Sequence, residues 1–152
     1  MLHCVAPSSD NQLLAHFGYT NPGTTTLDTG AGDDTVHVLL TSGPATVGTG
    51  TGDDTINVES TGAPLTVNAG EGNDTINVQS IGAAATVNGD DGDDTINVGS
   101  LAPSAGGTLN GIRAVLTVNG GGGDDTLSAD NTGDTIGGIG TLTAATLTGL
   151  GM

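Results

Sequence analysis

The chain has 152 residues, of which 28 are glycine, 17 are aspartate or glutamate and one is lysine or arginine, and its formal net charge is −16. It contains one phenylalanine, one tyrosine and no tryptophan, which excludes a thick core of large aromatic side chains. The scarcity of cationic residues excludes nucleic acid as a partner, no apolar stretch approaches the ~20 residues of a membrane span, and cations become the expected partners.

Residues 1–25 lie before the repeats and predict a β-hairpin. Two segments, residues 2–5 and 13–19, flank a run that is rich in turn-forming residues. The succession of Cys4-Val5 and a later Phe17-Gly18-Tyr19-Thr-Asn-Pro run resembles hairpin segments of large secreted bacterial repeat proteins. We expect this segment to cap the first repeat or to dock another module.

Residues 26–136 repeat with a period of 20 residues, interrupted by one insertion at about 100–114. The string Gly-Asp/Asn-Asp-Thr begins at Gly32, Gly52, Gly72, Gly92 and Gly123. Each unit holds two short segments, such as residues 66–68 and 75–78, in which apolar and polar residues alternate as in half-buried strands. No apolar stripe of period 3.6 exists, which argues against helices.

A single unit cannot bury its apolar face, so the repeat predicts stacking. The predicted fold is all-β, a parallel β-solenoid of the β-roll kind with 20-residue coils. Stacking would place Ile56, Ile76 and Ile96 in one inward column and Val58, Val78 and Val98 in another, while Thr75 and Asn77 point outward. A disordered chain is the alternative, but disorder does not require this register.

Two segments depart from the repeat. The insertion at about 100–114 contains proline and several glycines. We expect it to loop out from the edge of the stack opposite the Gly-Asp/Asn-Asp-Thr strings, which we call the less acidic edge. After a degenerate unit at residues 133–136, residues 137–152 alternate apolar residues with threonine and carry no charge, which predicts a C-terminal β tail. This tail resembles stretches that join repeat blocks in giant planctomycete-type surface proteins.

Each repeat also contains a turn rich in glycine and aspartate, such as residues 70–74. These acidic turns resemble the nonapeptide Gly-Gly-x-Gly-x-Asp-x-U-x of RTX proteins, the calcium-binding β-roll family. The resemblance covers about half of each repeat and implies bound Ca²⁺ along one edge only, because the opposite edge has almost no carboxylates. The first glycine of the motif is usually replaced, and Asp90 takes the place of the second glycine in the fourth turn. The carboxylate ligands that the resemblance implies are Asp34, Asp54, Asp74, Asp94 and Asp125. The glycines expected to shape the turns and to present carbonyl oxygens are Gly30, Gly32, Gly50, Gly52, Gly70, Gly72, Gly92, Gly121 and Gly123.

A second acidic position precedes each of these aspartates. It reads Asp33, Asp53, Asn73, Asp93 and Asp124. Because Asn73 replaces an aspartate there, the charge is dispensable, and we expect hydrogen bonding or a peripheral role in the ion site. The alternative for the whole motif is ordinary turn chemistry without an ion. The three histidines show no zinc-ligand spacing.

These observations predict a structural module and not an enzyme, since the carboxylates recur with the structural period and no nucleophile constellation stands out. The RTX resemblance implies an extracellular or cell-surface location. We expect calcium to fold the chain and copies of it to assemble head to tail in a filament, matrix or adhesin. An ice-binding repeat module, or a folding appendix of a secreted enzyme, remains an alternative.

Overall fold

The computed structural model describes residues 12–15 and 23–136 of the chain. These residues form eleven strands and no helix, so the described part has no helix that is long and apolar enough to cross a membrane. The strands are β1 Gln12–Ala15, β2 Thr25–Asp28, β3 Thr35–Val38, β4 Ala45–Thr51, β5 Thr55–Val58, β6 Leu65–Glu71, β7 Thr75–Val78, β8 Ala85–Asp91, β9 Thr95–Val98, β10 Leu116–Gly122 and β11 Thr126–Ala129.

The strands stack into two parallel sheets, as the repeat predicts. One sheet has the order β1-β3-β5-β7-β9-β11, and the other has the order β10-β8-β6-β4-β2. Each coil contributes one strand to each sheet. The register follows the sequence period, because Thr75 pairs with Thr55 on one side and with Thr95 on the other. The predicted all-β parallel solenoid with coils of about 20 residues is therefore confirmed.

The core is a thin aliphatic layer between the two sheets. Ile56, Ile76 and Ile96 form one inward column, and each is at most 1% exposed. Val47, Val67 and Val87 face them from the other sheet, equally buried. A fully buried aliphatic side chain stabilises a fold by roughly 1.5–3 kcal/mol. Repetition of these small contributions replaces the large aromatic core that the composition excludes.

Asparagines form ladders on the outer faces of both sheets. Asn77 Nδ2 donates to Asn57 Oδ1 at 2.9 Å, and Asn97 Nδ2 donates to Asn77 Oδ1 at 3.0 Å. Asn68, Asn88 and Asn119 form the same ladder on the other face. Asn77 was expected to point outward and lies on the outer face, where it is only 2% exposed.

Threonines hold the less acidic edge together. The Thr41 hydroxyl donates to the Ala63 carbonyl of the next coil at 3.0 Å, and it accepts from the Ala63 N–H at 3.2 Å. Thr61 makes the same two contacts with Ala83. Ile81 continues the column as a fully buried side chain. This edge is therefore closed by its own side chains.

The insertion leaves the stack between β9 and β10, at the less acidic edge, where the sequence places it. It does not loop freely into solvent, because it is tied to both of its neighbouring coils. Ile112 forms a bridge with Ile81, and Gly107 N–H donates to Asp130 Oδ2 at 2.7 Å. The segment predicted as a degenerate sixth unit forms turns against this insertion, with Gly133 N–H donating to the Gly107 carbonyl.

The two ends are described only in part. β1 lies inside the predicted N-terminal hairpin and pairs in parallel with β3, so it adds a strand to the solenoid sheet. The predicted partner strand at residues 2–5 and the C-terminal tail at 137–152 lie outside the described residues.

Candidate metal-binding edge

The five acidic turns lie one above another along one edge of the solenoid. Each turn joins a strand of the β2-to-β10 sheet to the following strand of the other sheet, as β6 is joined to β7. Positive backbone φ angles make these turns sharp. At the second glycine of the motif, four of the five residues are glycines with positive φ, namely Gly30, Gly50, Gly70 and Gly121. A Cβ on Gly70 would overlap the carbonyl oxygen of Gly50 in the preceding coil, so a side chain could be placed at Gly70 only if the backbone shifted. Asp90 adopts this conformation in the fourth turn with a φ of 75°.

The last aspartate of each turn points into the stack. Asp54, Asp74 and Asp94 are each 1% exposed. One carboxylate oxygen of each accepts a backbone N–H from the coil before it. The distances to Oδ1 are 2.7 Å from Asp34 N to Asp54, 2.7 Å from Asp54 N to Asp74, 2.9 Å from Asp74 N to Asp94 and 3.0 Å from Asp94 N to Asp125.

The second oxygen of each of these carboxylates has no hydrogen-bond donor. Oδ2 is buried and unpartnered in all five of them, namely Asp34, Asp54, Asp74, Asp94 and Asp125. Buried polar atoms nearly always find a partner, and a charged atom without one is costly. The same column of aspartates that the sequence indicates as ion ligands therefore has one unsatisfied oxygen per coil.

Burial disfavours the ionised form of these aspartates. It raises the pKa of Asp74 to about 6, with further upward contributions from the neighbouring carboxylates of Asp54 and Asp94. Burial likewise raises the pKa of Asp54 and of Asp94 above the ordinary value. In each case the backbone N–H bond to Oδ1 offsets part of this effect.

The neighbouring acidic position forms a separate, exposed ladder that runs in the opposite direction. Asp33 Oδ1 accepts the N–H of Asp53 at 3.0 Å, and Asp53 Oδ1 accepts the N–H of Asn73 at 2.8 Å. Asn73 Oδ1 in turn accepts the N–H of Asp93 at 2.9 Å. The interaction needs an acceptor oxygen and not a charge, which gives a physical reason for the asparagine at this position.

The first motif position adds a column of residues that differ in size. It reads Thr29, Thr49, Ala69, Gly89 and Gly120. Thr29 and Thr49 each donate a hydroxyl hydrogen bond to the carbonyl at the same position of the next coil, at 3.0 Å and 2.8 Å. The Thr49 hydroxyl also lies close enough to Asp54 to oppose the rise of its pKa, but its proton is used on the carbonyl of Ala69.

The donor set suits a hard cation that takes oxygen ligands. Within residues 23–136, no three or more His, Cys, Asp or Glu side chains converge in a way that could hold a metal. A cation would therefore bind one buried carboxylate per coil together with hydroxyl or backbone carbonyl oxygens. One expected carbonyl is already engaged, because the oxygen of Gly30 accepts the N–H of Thr51 at 3.0 Å.

Among the described residues, the histidine His37 does not lie at this edge. His37 lies on β3 and is 3.7 Å from Glu59, in the next coil. His3 and His16 lie outside the described residues.

No protein-family model matches the chain, and neither a curated protein nor a solved structure is detectably similar to it.

Proposed function

We propose that the protein is a calcium-binding structural β-solenoid module of an extracellular filament, matrix or adhesin. The observation that carries this proposal is the column of buried aspartates, each with a carboxylate oxygen that lacks a donor. A bound cation would supply the missing interaction in every coil.

Calcium fits this edge better than zinc. Ca²⁺ takes 6 to 8 oxygen ligands in adaptable geometry, whereas zinc sites rely on cysteine and histidine. Carboxylates in adjacent coils lie about 5 Å apart, where each like-charge pair costs roughly 1 kcal/mol in water and more when buried. A divalent ion would neutralise this repulsion, and its binding free energy would appear as folding free energy.

A structural role accounts for the arrangement of the candidate ligands. The aspartates recur once per coil, and each also bonds the backbone of its neighbour. Extracellular calcium modules bind their ions with dissociation constants of roughly 10⁻⁴ to 10⁻³ M, a range that suits an exported scaffold. The same properties are compatible with a folding appendix of a secreted enzyme.

Head-to-tail assembly follows from the ends of the stack. In the last described coil, Leu116, Val118 and Leu127 are only partly buried against the core. A parallel stack offers unpaired N–H and C=O groups at its end, and a heterologous contact between ends propagates as a filament. Deleting residues 140–152 should change the length distribution seen by electron microscopy and sedimentation. A calcium-loaded protein that stays monomeric at high concentration would refute assembly.

Ice binding is the second candidate, because outward threonines form regular columns on both faces. Thr35, Thr55, Thr75 and Thr95 are in register along one sheet, at the spacing of about 4.8 Å between strands. The middle residues of the acidic turns form no such array. A freezing-hysteresis measurement separates this function from that of a scaffold.

Circular dichroism with and without calcium tests the main proposal. Protein treated with a chelator should gain β-signal and melting temperature when millimolar Ca²⁺ is added. The same concentration of Mg²⁺ is the control, because Mg²⁺ demands a stricter octahedral geometry and gives up its water reluctantly. A metal-free protein that is already fully folded and indifferent to Ca²⁺ would overturn the proposal.

A further inference from the structure

The residue at the first motif position changes along the solenoid, and the change alters what surrounds each buried carboxylate. This position holds threonine in the first two coils, alanine in the third and glycine in the last two, namely Thr29, Thr49, Ala69, Gly89 and Gly120. The aspartate five residues later is the same in every coil. The coils therefore do not offer equivalent sites.

In the first coils a hydroxyl group satisfies the carbonyl beside the carboxylate. Thr29 Oγ1 donates to the Thr49 carbonyl, and Thr49 Oγ1 donates to the Ala69 carbonyl. Thr49 is fully buried, so this interaction is shielded from water. A cation that approached Asp54 would have to compete with a hydrogen bond that is already made.

The third and fourth coils lack this hydroxyl group. Ala69 and Gly89 have no hydroxyl to donate to the carbonyl of the following coil. A Cβ on Gly89 would overlap both Asp94 Oδ2 and the carbonyl oxygen of Gly120. A carboxylate oxygen without a donor and a carbonyl oxygen from the next coil therefore converge beside the bare Cα of Gly89.

We infer that calcium binds most tightly between the last two described coils, at Asp94 Oδ2 and the Gly120 carbonyl, and that the threonine coils are weak sites. This inference rests on the proposed calcium binding and assigns its strongest position. Folding by calcium is then polarised, with the ion ordering the coils next to the insertion first. The threonine coils depend on their own hydroxyl groups instead.

Two matched substitutions, Asp54→Asn and Asp94→Asn, test this assignment. Both aspartates are 1% exposed, and both accept a backbone N–H on Oδ1, which asparagine can also accept. Calcium titration calorimetry of the full chain should show that Asp94→Asn weakens the tightest binding step at least about tenfold, or roughly 1.4 kcal/mol. The tightest step should change less than about twofold for Asp54→Asn.

Proteolysis supplies a second readout close to the proposed site. The chain has one lysine or arginine, Arg113, so trypsin can cleave only after this residue. Arg113 is exposed in the insertion that joins the last two described coils, and its N–H donates to the Ile81 carbonyl. Calcium should protect the peptide bond after Arg113 from trypsin in the wild type and in Asp54→Asn, and should fail to protect it in Asp94→Asn.

The substitution Thr49→Gly tests the same idea in the opposite direction, and does so even if Asp94→Asn fails to fold. It removes the competing hydroxyl, so calcium binding at Asp54 should strengthen and the number of tightly bound ions should rise. Equal losses for Asp54→Asn and Asp94→Asn, or no gain for Thr49→Gly, would overturn the graded sites while calcium binding itself still stands. A wild type that binds no calcium would remove both proposals.

Discussion

Replacing Asp74 with asparagine measures the cost of burying a carboxylate in the acidic column. Burial raises the pKa of Asp74 to about 6 from an ordinary value of 3.8, so the ionised side chain opposes the metal-free fold at pH 7. A shift of about two pKa units corresponds to about 3 kcal/mol. Asparagine keeps the oxygen that accepts the N–H of Asp54 and carries no charge.

We therefore expect Asp74→Asn to raise the free energy of unfolding of the chelated protein at pH 7 by up to about 3 kcal/mol. In millimolar Ca²⁺ this advantage should shrink or reverse, because the variant lacks one carboxylate ligand. Urea denaturation followed by circular dichroism measures both values. Asp53→Asn is the matched control and should change little in either condition, since Asn73 already occupies the equivalent place in the next coil. A chelated Asp74→Asn protein that is less stable than the wild type would refute the reasoning.

Three further predictions follow from the same structure. Because the pKa of Asp74 is raised to about 6 in the folded state, protonation of Asp74 stabilises the fold. This contribution is complete below about pH 3.8 and is lost as the pH rises through about 6. The melting temperature of the chelated protein should therefore fall between pH 4 and pH 7, and a rise would contradict this. Ile76→Ala should lower the free energy of unfolding by 2–5 kcal/mol, since Ile76 is fully buried between two isoleucines; urea denaturation measures it, and a loss below 1 kcal/mol would show a loosely packed core. Asp90→Ala should be about 1 kcal/mol less stable than Asp90→Gly, because both variants remove the charge and, of the two, only glycine adopts a φ of 75° without strain. Equal melting curves would exclude backbone strain at this position.

The sequence pattern alone was sufficient to predict the solenoid. The alternation in residues such as Thr75, Ile76, Asn77 and Val78 has the period of a strand, and the fixed spacing of 20 residues leaves parallel stacking as the way to bury the apolar half. The observed register, with Ile76 between Ile56 and Ile96, follows directly from this spacing. β1 was predicted as part of a hairpin, and its pairing with β3 was not predicted, since its residues carry no repeat motif.

The distinction between the two acidic positions was also predictable in part. Asn73 indicated that its position needs no charge, and the structure supplies an exposed hydrogen-bonded ladder there. The opposite directions of the two ladders depend on side-chain orientation between coils, which a single sequence does not contain. The same holds for the Thr41 and Thr61 bridges, whose acceptors are 22 residues away.

The effect of the first motif position required the structure. From the sequence alone, Thr49 is a departure from the first glycine of the motif and Gly89 is a match to it. The structure shows that the threonine hydroxyl reaches the carbonyl of the next coil, whereas Gly89 leaves room for a carboxylate. This difference arises from contacts between coils, so no local pattern could indicate it.

The melting temperature of the wild type as a function of calcium concentration tests the central claim most directly. If the ion binds the folded state alone, stability should rise without saturation by about 1.4 kcal/mol per bound ion for each tenfold increase in Ca²⁺ above the dissociation constant. The buried aspartate column predicts a slope that corresponds to at least one ion, and Mg²⁺ should give a much smaller one. A melting temperature that does not change from chelator to 10 mM Ca²⁺, about ten times the weakest dissociation constant of extracellular modules, would contradict the claim.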